Sequence, residues 1–115
     1  MSLITRPVSW IKAARKEFEK FPQGAKQEIL EAPILAAEGR KGEIAKPMRG
    51  LGSGVIEIAL QFRSNAYRAV YALQIGTDIW VIHAFQKKSK TGIKTPKQDI
   101  DLIKQRIKIL KELWK

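Results

Sequence analysis

The spacing of apolar residues divides the chain into a helical beginning, a strand-rich middle and a helical end. Residues 12–20 are rich in Ala, Lys and Glu, and residues 23–38 carry apolar positions at helical spacing. These features predict two helices joined by a proline-containing turn. Pro33 lies inside the second pattern and predicts a kink or a break at Ala32, because proline removes one helical hydrogen bond. A turn bounded by glycines follows at residues 39–42.

The middle of the chain changes to a period of two. From Val55 onward, apolar side chains alternate with polar or small ones, so one face of a strand is apolar. Short turns at residues 64–65 and 76–78 separate this strand from two further apolar runs, residues 66–75 and 79–85. Three strands joined by such short turns predict an antiparallel meander.

Two proline-containing segments, residues 6–11 and 44–54, predict strands or loops at the edges of that sheet. A proline has no N–H to donate to a sheet ladder, so Pro7 and Pro47 do not fit a central strand. Helices that are separate from a meander sheet predict an α+β fold, which we expect to form one domain over residues 1–115.

Three residues predict the start of a C-terminal helix: Thr95 as a cap, Pro96 in the first turn and Gln98 three residues after the cap. Five apolar residues recur along it at helical spacing: Ile100, Ile103, Ile107, Leu110 and Trp114. We expect this stripe to pack against the sheet. The alternatives are a groove for a partner protein or, with the lysines beside the stripe, a membrane-surface helix.

Composition narrows the classes of function. The chain has 115 residues, 44% of them hydrophobic, and 22 lysines or arginines against 11 aspartates or glutamates, a formal net charge of +11. This excess attracts polyanions, although it is also typical of a solubilising surface. With no cysteine and one histidine, the sequence predicts no cofactor and no metal centre. It shows no signal-peptide pattern and no apolar run of about 20 residues, which predicts a cytoplasmic protein without a membrane partner.

Positive charge is concentrated toward the end of the chain, where residues 83–115 hold ten basic and three acidic side chains. An apolar run that predicts a strand ends at Phe85. Four lysines follow within the next nine residues and are expected to lie in one region: Lys87, Lys88, Lys90 and Lys94. Lysines on a short anchored loop converge on a phosphate-sized region. The pattern therefore indicates a face that binds a polyanion backbone.

Three segments resemble motifs of the RelE/HigB superfamily of toxins. Residues 46–57, KPMRGLGSGVIE, are similar to its K-x-L-x-G-x-G-L-x-E segment, and residues 67–71, YRAVY, to the Y-R-V-x-Y strand that follows. Residues 81–89, VIHAFQKKS, with the KTP that opens the last helix, resemble the HAF-x-KK-T…K-T-P signature of the phage-derived, HigB-like branch. The motifs occur in the expected order, and the resemblance covers residues 10–106.

The resemblance implies a compact sheet with two N-terminal helices on one side, and the toxin half of a toxin–antitoxin pair. It implies an mRNA endonuclease that acts in the ribosomal A site and a helix-turn-helix antitoxin, through which the complex binds operator DNA. The alternative is a non-catalytic relative that grips RNA or a partner. Two departures favour that alternative: the basic residue that many relatives carry just after Glu57 is absent, and the chain ends with Trp114 where better-known members place a tyrosine.

RNA cleavage without a metal needs a base for the 2′-OH, cations for the phosphate charge and an acid for the leaving oxygen. We predict Arg68 as the first phosphate contact, because its fork holds two phosphate oxygens; the alternative is an ion pair with Glu57. Lys87 and Lys88 are further catalytic candidates, although alternation directs only one of them toward the substrate. Additional RNA contacts are predicted for Arg49, Arg63, Lys90 and Lys94.

One histidine and two tyrosines are candidates for proton transfer or base stacking. His83 titrates near neutrality and is a candidate base; the alternative is a hydrogen-bonded core histidine, because it shares strand parity with Val81 and Phe85. Tyr71 is a candidate catalytic donor, and Tyr67 is a candidate RNA contact that stacks on a base. Alternation places both tyrosines on one face, and the alternative is that they are core aromatics.

Overall fold

The computed structural model describes residues 7–39, 44–52, 54–87 and 95–113. Within these ranges the helices are Lys12–Phe18 (α1), Gln23–Ala37 (α2) and Lys97–Leu113 (α3). The strands are Val8–Trp10 (β1), Ala45–Pro47 (β2), Val55–Phe62 (β3), Asn65–Ile75 (β4) and Asp78–Lys87 (β5). The predicted α+β fold is confirmed, with two helices before the central strands and one after them.

The strands form one sheet in the order β1-β5-β4-β3-β2. The three central strands are antiparallel neighbours, so the predicted meander is confirmed, and the two proline-containing segments contribute its edges. β1, however, pairs with β5 in parallel, from Val8 opposite Ile79 to Trp10 opposite Val81. The sheet is therefore mixed rather than wholly antiparallel, because the folded chain brings together two strands that are distant in sequence.

One face of the sheet is covered by α1 and α2. Ile58 and Leu60 of β3 are buried in this core, which confirms the period of two in that strand. Aromatic rings fill the space beneath α1: Phe18 and Phe21 lie 5.6 Å apart and Phe21 and Tyr67 lie 4.8 Å apart between centroids. Burial of this apolar area is the main stabilising term on this side, at roughly 25 cal/mol per Å².

The opposite face is covered by α3. Ile103, Ile107 and Leu110 are buried there against side chains of all three central strands, including Val70 and Ile82. The predicted packing of the C-terminal stripe is confirmed as far as the described residues extend; Trp114 lies outside them. Because the stripe is used for the core, Ile109 and Leu113 are the large apolar side chains that the described part of α3 still exposes, and this argues against the membrane-surface alternative.

A bulge in β5 changes which residues face α3. Val70 pairs with His83 and Tyr71 pairs with Val81, so Ile82 has no partner of its own in the ladder. A bulged residue and its neighbour point to the same side of a sheet. His83 and Ile82 therefore both face α3, whereas Val81 faces the other helices, and the predicted shared parity of His83 with Val81 is wrong.

The helix α2 continues through Pro33, so the predicted break at Ala32 is wrong. Proline leaves the carbonyl oxygen one turn earlier without its helical donor. Ala32 and Pro33 are both buried, and this packing holds the helix together. The predicted turn after α2 is described only at Gly39, since residues 40–43 lie outside the described ranges.

Candidate functional site

Arg68 lies beneath the start of α3 and has an exposed fraction of only 6%. Its Nη1 donates to Glu57 Oε1 at 3.3 Å and to Thr95 Oγ1 at 3.4 Å. The ion pair with Glu57, which the sequence left open as the alternative, is therefore present. The predicted phosphate contact requires an accessible guanidinium, whereas Arg68 is buried against Glu57 and Thr95.

Glu57 joins the sheet to the start of α3. Its second carboxylate oxygen accepts a hydrogen bond from the Thr95 hydroxyl, so one carboxylate serves both Thr95 and Arg68. Lys46 of β2 pairs directly with Glu57 across the strands and is exposed. Thr95 directly follows residues 88–94 in the sequence and lies two positions before α3, so this buried cluster fixes the chain just before that helix.

His83 is buried and hydrogen-bonded on both ring nitrogens. Arg106 Nη1 lies 3.0 Å from His83 Nδ1 and also donates to the carbonyl oxygen of Ile82 at 2.9 Å. A guanidinium only donates, so Nδ1 accepts, and the proton of the neutral ring lies on Nε2, which donates to Asp99 Oδ1 at 2.7 Å. Burial lowers the pKa of His83, and Arg106 adds to this effect while Asp99 opposes it.

This arrangement fits the core-histidine alternative. The nitrogen that a general base would use, Nδ1, already accepts a hydrogen bond from Arg106. His83 also stacks on Phe85, with ring centroids 5.2 Å apart. In the folded chain, therefore, His83 fastens α3 to β5 and does not offer a basic nitrogen to solvent.

The two tyrosines lie on the α1/α2 face of the sheet, opposite the face on which Arg68 and His83 lie. Tyr67 contacts Phe21 and Phe62, and Tyr71 is buried in the same cluster. Burial raises the pKa of Tyr71, which makes its hydroxyl a weaker proton donor. Their shared face is as predicted, and their burial fits the alternative that they are core aromatics.

The other predicted contacts fall at different ends of the sheet. Arg63 is exposed in the turn between β3 and β4, where its guanidinium lies 5.3 Å from the centroid of the Phe62 ring. Lys87 pairs with Ala66, so β5 ends beside that same turn. Arg49 is exposed in the loop before β3, roughly 26 Å away along the strand. Lys88, Lys90 and Lys94 lie outside the described residues.

Sequence reasoning missed three residues that contact the predicted site from α3 or from the residues just before it: Thr95, Asp99 and Arg106. A signal for two of them exists, because Asp99 and Arg106 are charged residues seven positions apart beside the apolar stripe of α3, on the side of the helix that reaches the sheet. A charged pair two turns apart beside a buried stripe indicates polar partners on the facing sheet. Thr95 gave no such signal, since a threonine before a proline is explained as a helix cap.

The described residues supply no cluster of three or more metal-ligating side chains. Within the same ranges, none of the helices combines the length and the apolar character that a membrane span requires.

Comparison with known proteins agrees with the motifs. The sequence model of the family described as "Phage derived protein Gp49-like (DUF891)" matches residues 16–108. No curated protein matches the sequence significantly. A mutant of the E. coli toxin RelE in the free state superposes with a TM-score of 0.59 at 18% identity, covering 91% of this chain and 97% of RelE.

A toxin–antitoxin complex of Mycobacterium tuberculosis, RelBE2, contains a chain that matches with a TM-score of 0.48 at 18% identity, covering 76% of this chain and 98% of that one. The family match extends over most of the sequence, and the RelE match gives the fold. Both confirm the resemblance drawn from the three motifs. The chain belongs to the phage-derived Gp49-like family and has the fold of the toxin RelE.

Proposed function

We propose that the chain is the toxin of a toxin–antitoxin pair and stops translation by cutting mRNA in the ribosomal A site, without a metal or a cofactor. The observation that best supports this is the fold of the toxin RelE, which extends over 91% of the chain. The net charge of +11 suits an RNA ligand. The proposed partner is a cytoplasmic helix-turn-helix antitoxin, through which the complex binds operator DNA.

The proposed substrate contacts lie at the end of the sheet where β5 finishes. The exposed Arg63 turn and Lys87 meet there, since Lys87 pairs with Ala66 close to the turn. Segment 87–94 carries Lys88, Lys90 and Lys94 in addition. Cations from the turn and from this segment would stabilise the charge that develops on the phosphate.

In this proposal Arg68 is a positioning residue. It donates hydrogen bonds to Glu57 and to Thr95, the residue that directly follows Lys94 in the sequence. Through Thr95, Arg68 fixes the chain immediately after the basic segment. Loss of Arg68 would therefore loosen the lysines without removing a direct phosphate contact.

A second candidate function is RNA or partner binding without cleavage. One observation favours it: the predicted proton-transfer groups His83 and Tyr71 are both buried, and His83 is hydrogen-bonded on both ring nitrogens. Among the described residues, neither group is available as a base or an acid for RNA. The two candidates therefore differ in whether RNA is cut, and they share the basic surface.

Expression of the chain in bacteria, followed by mapping of mRNA 5′ ends, distinguishes the two candidates. We expect growth arrest and cuts at codons in the A site. The triple variant Lys87→Gln, Lys90→Gln and Lys94→Gln should reduce cutting by about 10²-fold or more, because it removes charge stabilisation at the phosphate.

The matched control is the triple variant Lys12→Gln, Lys16→Gln and Lys20→Gln, which removes the same charge from exposed positions of α1 and of the turn that follows it. It should cut at the wild-type rate. Cuts of equal strength from both triple variants would reject the basic segment as the substrate contact. Ribosome binding by the wild type without any cuts would select the non-catalytic function.

A further inference from the structure

We propose that the lysine flank of α3, defined as Lys97, Lys104, Lys108 and Lys111, binds RNA phosphates and forms a second RNA-contacting surface apart from segment 87–94. The inference deepens the proposed function and rests on it for the class of ligand. This surface is distinct from the predicted cleavage site, because the four lysines take no part in the Arg68, Glu57 and Thr95 cluster.

The four lysines follow one side of the helix. Successive members are seven, four and three residues apart, so they fall within about 60° of the helix circumference and extend over about 21 Å. Lys97, Lys104, Lys108 and Lys111 are all exposed. A strip of this length is long enough to contact several consecutive nucleotides of a single strand.

Contacts on the two sides of α3 show which way this flank faces. Asp99 and Arg106 reach β5 from one side of α3. On the other side, Lys111 Nζ lies 3.8 Å from the position that a Cβ would occupy at Gly52, in the loop between β2 and β3. The lysine flank therefore faces the β2 edge of the sheet.

The β2 edge adds charge of the same sign. Lys46 is exposed on the strand face that also carries Glu57, and Arg49 is exposed in the loop that Lys111 approaches. Leu51 of this loop is buried with α3, so the loop and the helix form one continuous surface. Six cations thus line this side of the molecule, with Asp101 and Glu112 along its solvent border.

The cations of the first helices are arranged differently. There, Arg15 and Lys26 pair with Glu19, and Lys20 pairs with Glu17. None of the ion pairs found among the described residues involves a lysine of the flank. Charges that form no ion pair attract a polyanion more strongly than charges that are already paired.

A phosphate backbone fits this surface better than a lipid surface does. Lysine ammonium groups act as point charges that need no fixed geometry, which suits sequence-independent phosphate contact. The apolar stripe of α3 is buried against the sheet, so the described part of the helix offers only Ile109 and Leu113 as large exposed apolar side chains for insertion into a bilayer. RNA that extends from the cleavage site along the outside of the fold is the occupant that these observations favour.

The test measures binding of a fluorescent single-stranded 2′-O-methyl RNA of 20 nucleotides, which lacks the 2′-OH that cleavage needs, between 50 and 200 mM KCl. The variant Lys104→Gln with Lys108→Gln should reduce the slope of log K against log salt by about 1.4, or about 0.7 for each lost phosphate contact. The control Lys12→Gln with Lys16→Gln loses the same charge from α1 and should keep the wild-type slope. Lys104→Arg with Lys108→Arg should restore it.

Equal slopes for the two glutamine variants would overturn the inference, whether both equal the wild type or both are reduced. Binding to anionic phospholipid vesicles that depends on the flank, with RNA binding unaffected, would also overturn it. The measurement does not use cleavage. If the wild type fails to cut mRNA while the flank variant alone loses slope, the proposed cleavage fails and the inference stands.

Discussion

The α1/α2 face of the sheet and its α3 face are both buried, but by different chemistry. Ile29, Ile58 and the aromatic rings around Tyr67 cover the first face with apolar contacts. On the second face, apolar residues cover only the side of α3 that holds Ile103, Ile107 and Leu110. Beside this apolar side, polar residues fill the contact. Three sheet residues (Glu57, Arg68 and His83) form hydrogen bonds with three residues in α3 or just before it (Thr95, Asp99 and Arg106).

The difference matters because the two kinds of contact respond to different changes. Apolar burial is non-directional and scarcely depends on pH. A buried polar network requires every member, since a lost partner leaves another group desolvated and unpaired. We therefore expect the α1/α2 face to set the overall stability, and the α3 face to set the position of α3 and of the basic segment before it.

The largest effect should come from the apolar face. Ile58→Ala should lower the free energy of unfolding by about 2–5 kcal/mol, because the side chain is almost fully buried and its loss leaves a cavity. Urea denaturation measures this change. Ile34→Ala, which removes an exposed side chain, should change stability by no more than about 0.5 kcal/mol. If the two variants have similar effects, the apolar face does not dominate stability.

A smaller effect is expected at the polar network. Glu57→Gln should lower the free energy of unfolding by about 1.5–3 kcal/mol, because Arg68 loses its carboxylate while Thr95 and α3 still cover it. Adding Arg68→Met should recover part of this loss, since the unpaired guanidinium is then gone. Urea denaturation of both single variants and the double variant gives the coupling. Strictly additive losses would show that the pair acts as two independent residues.

The smallest effect should be a pH dependence carried by the single histidine. His83 faces Asp99 and Arg106 of α3, with Glu17 of α1 acting at longer range, and burial lowers its pKa below the ordinary value of 6.5. The unfolded chain therefore takes up a proton more readily than the folded chain. Stability should be complete above about pH 6.5 and fall as the pH drops toward the folded-state pKa.

Thermal melting between pH 7.5 and 5.5 measures this dependence, and carboxylates with ordinary pKa values stay charged over the range. The variant His83→Gln, which removes the only histidine of the chain, should lose the slope. A wild-type melting temperature that stays level or rises on acidification would contradict the assignment of a neutral, buried His83.

The sequence by itself determined the elements whose cause is local. The alternation from Val55 onward predicted β3, and the apolar stripe from Ile100 to Leu110 predicted the face that α3 buries; both follow from the geometry of strands and helices. The order of three motifs predicted the RelE-like fold and the family. For Arg68, His83 and the two tyrosines the sequence named the buried arrangement as one alternative: an ion pair of Arg68 with Glu57, and core placement of His83 and the tyrosines. It did not decide between these and the functional roles.

Only the tertiary structure decided what covers each residue. The bulge at Ile82 turns His83 toward α3, and the spacing of apolar residues along the sequence does not predict this change of face. Arg68 has a side chain suited to a phosphate contact, but Thr95, 27 residues away in the sequence, packs over it and accepts a hydrogen bond from its Nη1. Whether a charge is available to a ligand depends on the segments packed over it, and this packing is settled by contacts between parts of the chain that are far apart in sequence.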